Sequence, residues 1–205
     1  MISYSHYALA DLLDAFSSSD PVPGGGSAAA LAGALGTALL VMVAGLSKTR
    51  TGAPEEAADL SEASARLRPL RDSLASLVDR DAEAYSAVVA AMRLPKGIEA
   101  EVSARRLALE AATRLATEVP LDTMRACQQA LRGAVVVAQA GNRHATSDVG
   151  VAIDLILTGL RGAAMNIDAN VEGLSDAVYV KRAVMERNEL ERDGTSDAGK
   201  ARKLL

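Results

Sequence analysis

The chain has 205 residues, of which 49% are hydrophobic and only 2% aromatic, and its formal net charge is −4. This length is enough for one domain with a substantial core, while the acidic balance and the few aromatic rings argue against a nucleic-acid partner. Alanine and leucine occur in almost every segment and favour helices over strands. We therefore predict an all-α fold, a single-domain antiparallel helical bundle with long helices rich in small residues.

Cys127 is the only cysteine, so no disulfide can form within the chain. The first residues lack the basic region and apolar core of a secretory signal, and a reducing cytoplasmic setting is the expectation. An uncharged run from Ala28 to Leu46 reaches the length of a membrane span. Because this run is mostly alanine and glycine and has no aromatic residues at its ends, we predict a buried helix and no membrane partner.

The predicted helices are separated by breaks of glycine, proline and serine. In chain order they span residues 4–16, 27–48, 55–92, 98–117, 120–139, 148–171 and 175–192. Pro69 lies inside the third helix and is expected to kink it or split it in two. Residues 1–192 are assigned to one domain, and 193–205 to a mobile C-terminal tail.

The segment between the first two helices, Asp20-Pro21-Val22-Pro23-Gly24-Gly25-Gly26-Ser27, cannot continue a helix and leads into a helix N-terminus. Its glycines allow a ligand or another chain to approach closely, and the first free N–H groups of the helix can bind an acceptor. The alternative is an ordinary connection with Ser27 as the cap. The spacing Gly24-x-Gly26-x-x-Ala29 is close to a dinucleotide fingerprint, but no strand precedes it, so that function is rejected.

Two aspartates in the third predicted helix differ in the face they occupy. Beyond Pro69 this helix carries residues at the three-to-four spacing that predicts a buried face, here called the apolar stripe: Leu70, Leu74, Leu77, Val78, Tyr85, Val88 and Met92. Asp81 falls on the stripe, whereas Asp79 falls on a polar, more solvated face. Burial raises the pKa of a carboxyl group and suits Asp81 to proton transfer near neutral pH. A buried aspartate that only bonds to a neighbouring helix is an equally open alternative.

Asn166 and Asn170 end a face of small residues on the helix predicted over 148–171. Buried amides need hydrogen-bond partners, so this face either contacts polar groups of another helix or borders a cleft. His6 and His144 lie far apart in sequence and belong to no metal-binding pattern, so no metal is expected. Nothing in the sequence brings Ser27, His144 and an aspartate together as a hydrolase triad.

Several ordered motifs together resemble the cyclodeaminase/cyclohydrolase family of tetrahydrofolate enzymes over residues 3–192. The family includes the C-terminal domain of formimidoyltransferase-cyclodeaminase and free-standing bacterial methenyltetrahydrofolate cyclohydrolases. The motifs are Pro21-Val22-Pro23-Gly24-Gly25-Gly26-Ser27, Asp79-Arg80-Asp81-Ala82-Glu83-Ala84-Tyr85, Ala91-Met92-Arg93-Leu94-Pro95-Lys96, Val119-Pro120-Leu121, Gly141-Asn142 with Ser147-Asp148, and Asn166 with Asn170.

The resemblance implies an all-helical homodimer with a folate cleft and a catalytic aspartate, assigned first to Asp81 and second to Asp79. A tetrahydrofolate derivative is the expected substrate, with no permanently bound cofactor. Substrate contacts are expected from Gly24, Gly25, Gly26, Ser27, Lys96, Asn142, Asn166 and Asn170.

Two activities are consistent with this resemblance. The favoured one is hydrolysis of 5,10-methenyltetrahydrofolate to 10-formyltetrahydrofolate, because no formiminotransferase domain is attached. The alternative is cyclodeamination of 5-formimidoyltetrahydrofolate with release of ammonia. A non-enzymatic helical scaffold is a third interpretation, and it would not need Asp81, Lys96 and Asn142 together.

Overall fold

A computed structural model describes residues 3–205, and every regular element within that range is helical. The six α-helices are α1 (Leu9–Ser17), α2 (Gly25–Ala44), α3 (Pro54–Met92), α4 (Glu99–Ala140), α5 (Thr146–Val171) and α6 (Ala177–Arg202). Two short 3-10 turns cover Tyr4–His6 and Arg143–Ala145. The predicted all-α fold, a single helical bundle, is confirmed.

The long helices run antiparallel to their neighbours in sequence. The N-terminal end of α2 lies against the C-terminal half of α3, where Gly26 lies beside Asp81, while Gly133 of α4 lies against Leu67 of α3. α2 packs chiefly against α5 and α3 and also contacts α4, and α6 packs against α4 and α5. α4 contacts α2, α3, α5 and α6, whereas α2 contacts α3, α4 and α5, and these three helices meet at its N-terminus.

Small residues allow α2 to pack closely against α5. A Cβ atom on Gly159 would lie 2.7 Å from the carbonyl oxygen of Ala29, so only glycine permits this separation of the two helices. Cys127 packs at the same crossing, and its complete burial raises the pKa of the thiol to about 12. The cysteine is therefore a packing residue rather than a reactive thiol.

Two segments are long and apolar enough to span a membrane by length and composition, Gly25–Ala44 and Arg143–Val171. Only the first contains a long uncharged run, because charged residues are scattered along the second. Of the α2 segment, 61% is buried inside the bundle, and Ala30, Leu40 and Val43 are completely covered. α2 is thus a buried core helix, as its alanine-rich sequence indicated.

The predicted break between residues 117 and 120 is wrong, because α4 continues without interruption through Pro120. Pro69 likewise lies inside a single continuous α3. A proline within a helix removes one N–H donor at a cost of about 3 kcal/mol or more, which kinks a helix more readily than it ends it when the neighbouring turns are well packed. Pro120 and its neighbours Val119 and Leu121 are all buried.

The last helix does not end at Arg192 as predicted, but extends to Arg202. Residues of the segment that was assigned to a tail contribute to the core, where Ala198 is 2% exposed and Ala201 is fully covered. Gly194, which suggested a helix stop, instead lets α6 approach Leu160 of α5 closely. The polar composition of residues 193–200 hid this narrow buried face.

Candidate active site

A cleft of about 400 Å³ opens where the N-terminus of α2 meets α3, α4 and α5. Its floor is formed by the glycine segment at the start of α2, and its walls by the C-terminal parts of α3 and α5 and by one face of α4. The lining residues are Pro21, Val22, Gly24, Gly25, Gly26, Asp81, Tyr85, Val88, Met92, Leu109, Thr113, Ala116, Asn166, Ala169, Asn170 and Gly173.

The apolar stripe of α3 changes its role along the helix. Leu74, Leu77 and Val78 are core residues with at most 1% exposure, whereas Tyr85 and Met92 are 44% and 52% exposed and line the cleft. The change occurs because α2 begins only at Gly25 and does not cover the later turns of α3. The prediction that the whole stripe is buried is therefore wrong, and its uncovered part is a wall of the site.

Asp81 lies at the boundary between the core and the cleft. Its Oδ2 accepts a hydrogen bond of 2.9 Å from the hydroxyl of Ser27, and that hydroxyl also lies 2.9 Å from the carbonyl oxygen of Val78. A Cβ atom on Gly26 would overlap the Asp81 carboxyl group, so glycine is needed there for α2 and α3 to approach each other. These contacts hold the Asp81 carboxylate against the first turn of α2, beside Gly26 and Ser27.

Burial raises the pKa of the Asp81 carboxyl above its ordinary value, against the opposing effect of hydrogen bonds from the side chain and backbone of Ser27. Asp81 is also the sole charged residue among those that line the cleft. A carboxyl group with this pKa direction suits proton transfer near neutral pH, and when ionised it attracts a cationic substrate.

Asp79 points away from this cleft and holds the N-terminal segment. Its carboxylate accepts hydrogen bonds from Ser3 Oγ (2.9 Å), Ser5 Oγ (2.6 Å) and Ser5 N (3.2 Å). Partial burial alone would raise its pKa, but the hydrogen bonds from these serines outweigh burial and lower it. Tyr4 lies between the two serines in sequence, and its hydroxyl donates a hydrogen bond of 3.3 Å to the carbonyl oxygen of Val22. The N-terminal segment that Asp79 holds thus contacts the cleft wall through Tyr4.

Asn166 and Asn170 line the cleft, and each also donates a hydrogen bond to a main-chain carbonyl. Asn166 Nδ2 donates to Gly162 O on its own helix at 2.8 Å, whereas Asn170 Nδ2 donates to Ala116 O of α4 at 2.7 Å. Ala116 is four residues before Pro120, whose missing N–H leaves this carbonyl without its helical donor. Asn170 therefore compensates for the proline while its remaining polar atoms border the cleft.

Lys96 and Asn142 do not line the cleft in this chain. Lys96 is exposed in the loop between α3 and α4, four residues after Met92. Asn142 lies beyond Gly141, which packs against Val43 near the other end of α2, so about 25 Å of helix separates it from Gly26. Its side chain instead accepts a hydrogen bond from His144 N at 2.9 Å.

Ser27 also differs from its expected role. It is completely buried and begins no helix, because α2 starts two residues earlier at Gly25. Its hydroxyl faces Asp81 and Val78 rather than the cleft or the first N–H groups of α2. Ser27 is therefore neither a helix cap nor a lining residue, but a partner of Asp81.

The sequence prediction missed the contribution of α4, from which Leu109, Thr113 and Ala116 line the cleft. The many charges of residues 98–117 indicate one solvated face, and nothing in the local pattern marks another face as a cleft wall. Among residues 3–205, no group of three or more His, Cys, Asp or Glu side chains is arranged to hold a metal ion.

Comparison with known proteins links this geometry to one family. The family described as Formiminotransferase-cyclodeaminase matches residues 8–189. The chain is 39% identical over 174 residues to the methenyltetrahydrofolate cyclohydrolase of Methylorubrum extorquens, an alignment that covers 85% of this chain and 84% of that protein.

A second relative is the formimidoyltransferase-cyclodeaminase of Rattus norvegicus, which is 35% identical over 164 residues, or 78% of this chain and 30% of that longer protein. The crystal structure of formiminotetrahydrofolate cyclodeaminase from Thermotoga maritima superimposes with a TM-score of 0.87 at 25% identity and covers 98% of this chain and 96% of its own. The chain therefore belongs to the formiminotransferase-cyclodeaminase family, the cyclodeaminase/cyclohydrolase family that its sequence motifs had indicated.

Proposed function

We propose that this protein hydrolyses 5,10-methenyltetrahydrofolate to 10-formyltetrahydrofolate, with Asp81 as the acid/base. Its family makes it an enzyme of folate one-carbon metabolism, and the relative from Methylorubrum extorquens, of similar length and 39% identical, carries the name of this activity. The observation that carries the proposal is the Asp81 carboxyl, the single charged group in an otherwise neutral cleft.

The bridging carbon of 5,10-methenyltetrahydrofolate is a cationic, amidinium-like electrophile. Water adds to this carbon, and Asp81 takes one of its protons, so that a neutral carbinolamine forms. The bond from the carbon to N5 then breaks, Asp81 returns its proton to N5, and the carbinol O–H releases its proton to solvent as the formyl group forms on N10. The sum is one cation and one water converted into 10-formyltetrahydrofolate and one proton.

The environment of Asp81 supports both proton transfers. Burial raises its pKa towards the working range of a general acid/base, while the Ser27 hydroxyl keeps the ionised form accessible. The bound substrate cation adds a favourable interaction with the carboxylate. Asn166 and Asn170, whose amides are fixed by main-chain contacts, are suited to orient the polar edge of the pterin ring.

A purified-protein assay tests this proposal. Loss of methenyltetrahydrofolate absorbance, corrected for the uncatalysed hydrolysis in the same buffer, should be accompanied by stoichiometric 10-formyltetrahydrofolate. No acceleration over buffer between pH 6 and 8 would contradict the hydrolytic function and favour the scaffold interpretation unless the second activity is found.

The second candidate is cyclodeamination, and the similarity to the Thermotoga maritima structure over 98% of this chain favours it. In that reaction N10 attacks the formimino carbon and ammonia leaves, which again needs a proton donor and acceptor beside the bridging carbon. Ammonia release from 5-formimidoyltetrahydrofolate, at a kcat/KM above that of hydrolysis, would assign this activity instead. The homodimer stays a prediction, which light scattering on the purified protein tests.

A further inference from the structure

Ser27 has two acceptors and one hydrogen. Its Oγ lies 2.9 Å from Asp81 Oδ2 and 2.9 Å from Val78 O, and the residue is completely buried, so water does not complete its hydrogen bonds. A hydroxyl donates one hydrogen bond and can accept two. It can therefore donate to the carboxylate or to the carbonyl, but not fully to both at once.

We propose that Ser27 is a positioning residue that pairs with Asp81 in both of its protonation states by turning its single hydrogen between Asp81 and Val78. When Asp81 is ionised, the Ser27 hydroxyl donates to Oδ2. When Asp81 holds the proton, its O–H donates to Ser27 Oγ, and the serine hydrogen turns to the Val78 carbonyl. The inference rests on the proposed acid/base function of Asp81.

This arrangement avoids the cost that a fixed donor would impose. A buried polar group left unpaired costs about 1–3 kcal/mol, so a partner that only donated would penalise the protonated carboxyl in each catalytic cycle. The Ser27 hydroxyl lies 2.9 Å from both Asp81 Oδ2 and Val78 O. It can therefore pair with the ionised and with the protonated form of Asp81. Alanine, which cannot pair with either state, leaves only the Ser27 backbone N–H contact that favours the ionised form.

The surroundings leave Ser27 as the principal polar partner of Asp81. The cleft presents one other titratable group, Tyr85 on α3, together with the neutral side chains of Thr113 on α4 and Asn166 and Asn170 on α5. Charged groups on the packed helices bond elsewhere: Glu110 accepts hydrogen bonds from Ser175, Asp168 pairs with Arg187, and Arg105 donates to the carbonyl of Met92.

The test is a titration of Asp81 in the free protein, which does not depend on which folate reaction is catalysed. Aspartate labelled with ¹³C at Cγ is followed by NMR against pH, and the Asp81 signal is assigned by its loss in Asp81→Asn. In Ser27→Ala both protonation states of Asp81 lose their partner, and the Asp81 pKa should rise because the charge-assisted bond to the carboxylate is stronger than the neutral bond that the protonated carboxyl donates. Tm should accordingly fall at pH values both below and above the Asp81 titration, whereas a fixed donor would lower it only where Asp81 is ionised. The lower-pH limb of the kcat/KM profile should move to higher pH by the same amount.

Thr37→Val is the matched control. Thr37 is another completely buried hydroxyl on α2, and it bonds only to Gly33 O of its own helix at 2.7 Å. Its loss should leave the Asp81 titration unchanged. Ser27→Cys keeps a weak donor and should give an intermediate shift, and it carries the test if Ser27→Ala does not fold.

An Asp81 titration that is the same in wild type, Ser27→Ala and Ser27→Cys would overturn the proposal. So would a loss of activity that is uniform with pH, because this is the signature of a purely structural serine. If the NMR titration shifts while neither folate substrate is turned over, the pairing of Ser27 with Asp81 stands and the proposed function fails.

Discussion

Asp81 and Asp79 are two residues apart on α3, and the structure places them in opposite settings. Two residues turn a helix by about 200°, so one carboxylate faces α2 and the cleft while the other faces the N-terminal 3-10 turn. Asp81 has one buried hydroxyl partner, and burial raises its pKa. Asp79 has donors from Ser3 and Ser5, which lower its pKa in spite of partial burial.

The difference shows that hydrogen-bond donors can outweigh burial: Asp79 has several donors and a lowered pKa, whereas Asp81 is more deeply buried, has fewer donors and has a raised pKa. Both aspartates are partly buried, but donors stabilise the charged form of Asp79 and make it a poor proton acceptor. Asp81, with fewer donors and an open cleft on one side, keeps the capacity to exchange a proton. The comparison supports the proposed acid/base role of Asp81 and gives Asp79 an anchoring role.

The largest expected effect is that of Asp81→Asn. The amide occupies the same space and its oxygen still accepts from Ser27, but it cannot take a proton, so kcat should fall by about 10²–10⁴-fold with the thermal unfolding midpoint, Tm, little changed. The measurements are the steady-state kcat for methenyltetrahydrofolate and the Tm of the same variant from thermal unfolding. Asp79→Asn is the matched control and should retain activity to within a few-fold; the reverse order would exchange the roles of the two aspartates.

The next effect concerns the contact that places Asp81. In Gly26→Ala the added methyl group overlaps the Asp81 carboxyl, which has to move. A displacement of about 1 Å can cost on the order of 10²-fold in rate. Because glycine allows α2 and α3 to approach each other here, Tm should fall as well, and turnover is therefore measured well below the Tm of the variant. Gly150→Ala is the control, since Gly150 lies on α5 outside the cleft lining and its Cβ would lie 3.7 Å from Leu205 Cδ1 in ordinary contact. Equal losses in the two variants would argue against a precisely placed carboxylate.

Much of this site followed from pattern in the sequence. The periodicity that placed Asp81 on the apolar stripe and Asp79 off it gave the correct faces, and the small-residue face ending in Asn166 and Asn170 both contacts another helix and borders the cleft. These features were predictable because helical spacing decides which residues share a face.

The rest depended on contacts between distant segments. The partners Ser3 and Ser5 of Asp79 lie 76 and 74 residues away, and no local rule pairs them. The break expected before Pro120 was wrong because the carbonyl freed by the proline is satisfied by Asn170, 54 residues from Ala116. Local helix propensity predicts that a proline destabilises a helix. It does not predict that a side chain from another helix supplies the missing hydrogen bond.

A smaller effect is expected on stability through Asp79. Because its folded-state pKa is lowered, its contribution is fully present above the ordinary aspartate value of about 3.9 and is lost as pH falls through the folded value. Asp79→Asn should therefore lower Tm at pH 7 by on the order of 2–4 °C, and the difference from wild type should shrink below about pH 4. Asp72→Asn, which affects only a solvated pair with Arg71, should show no such pH dependence.

The smallest effect is expected for Asn142→Ala, which tests whether one chain completes the cleft. Asn142 lies near the C-terminal end of α2, about 25 Å along that helix from Gly26. Its side-chain oxygen accepts a hydrogen bond from His144 N. If the cleft lies wholly within one chain, kcat/KM should stay within about two-fold of wild type. Asn170→Ala, which removes a cleft-lining amide and the donor to the Ala116 carbonyl, should lower it further. A loss of ten-fold or more in Asn142→Ala at unchanged Tm would instead show that this residue reaches the substrate from a second subunit. The catalytic setting of Asp81 would then belong to the assembly, while the anchoring of Asp79 by Ser3 and Ser5 would remain a property of the single chain.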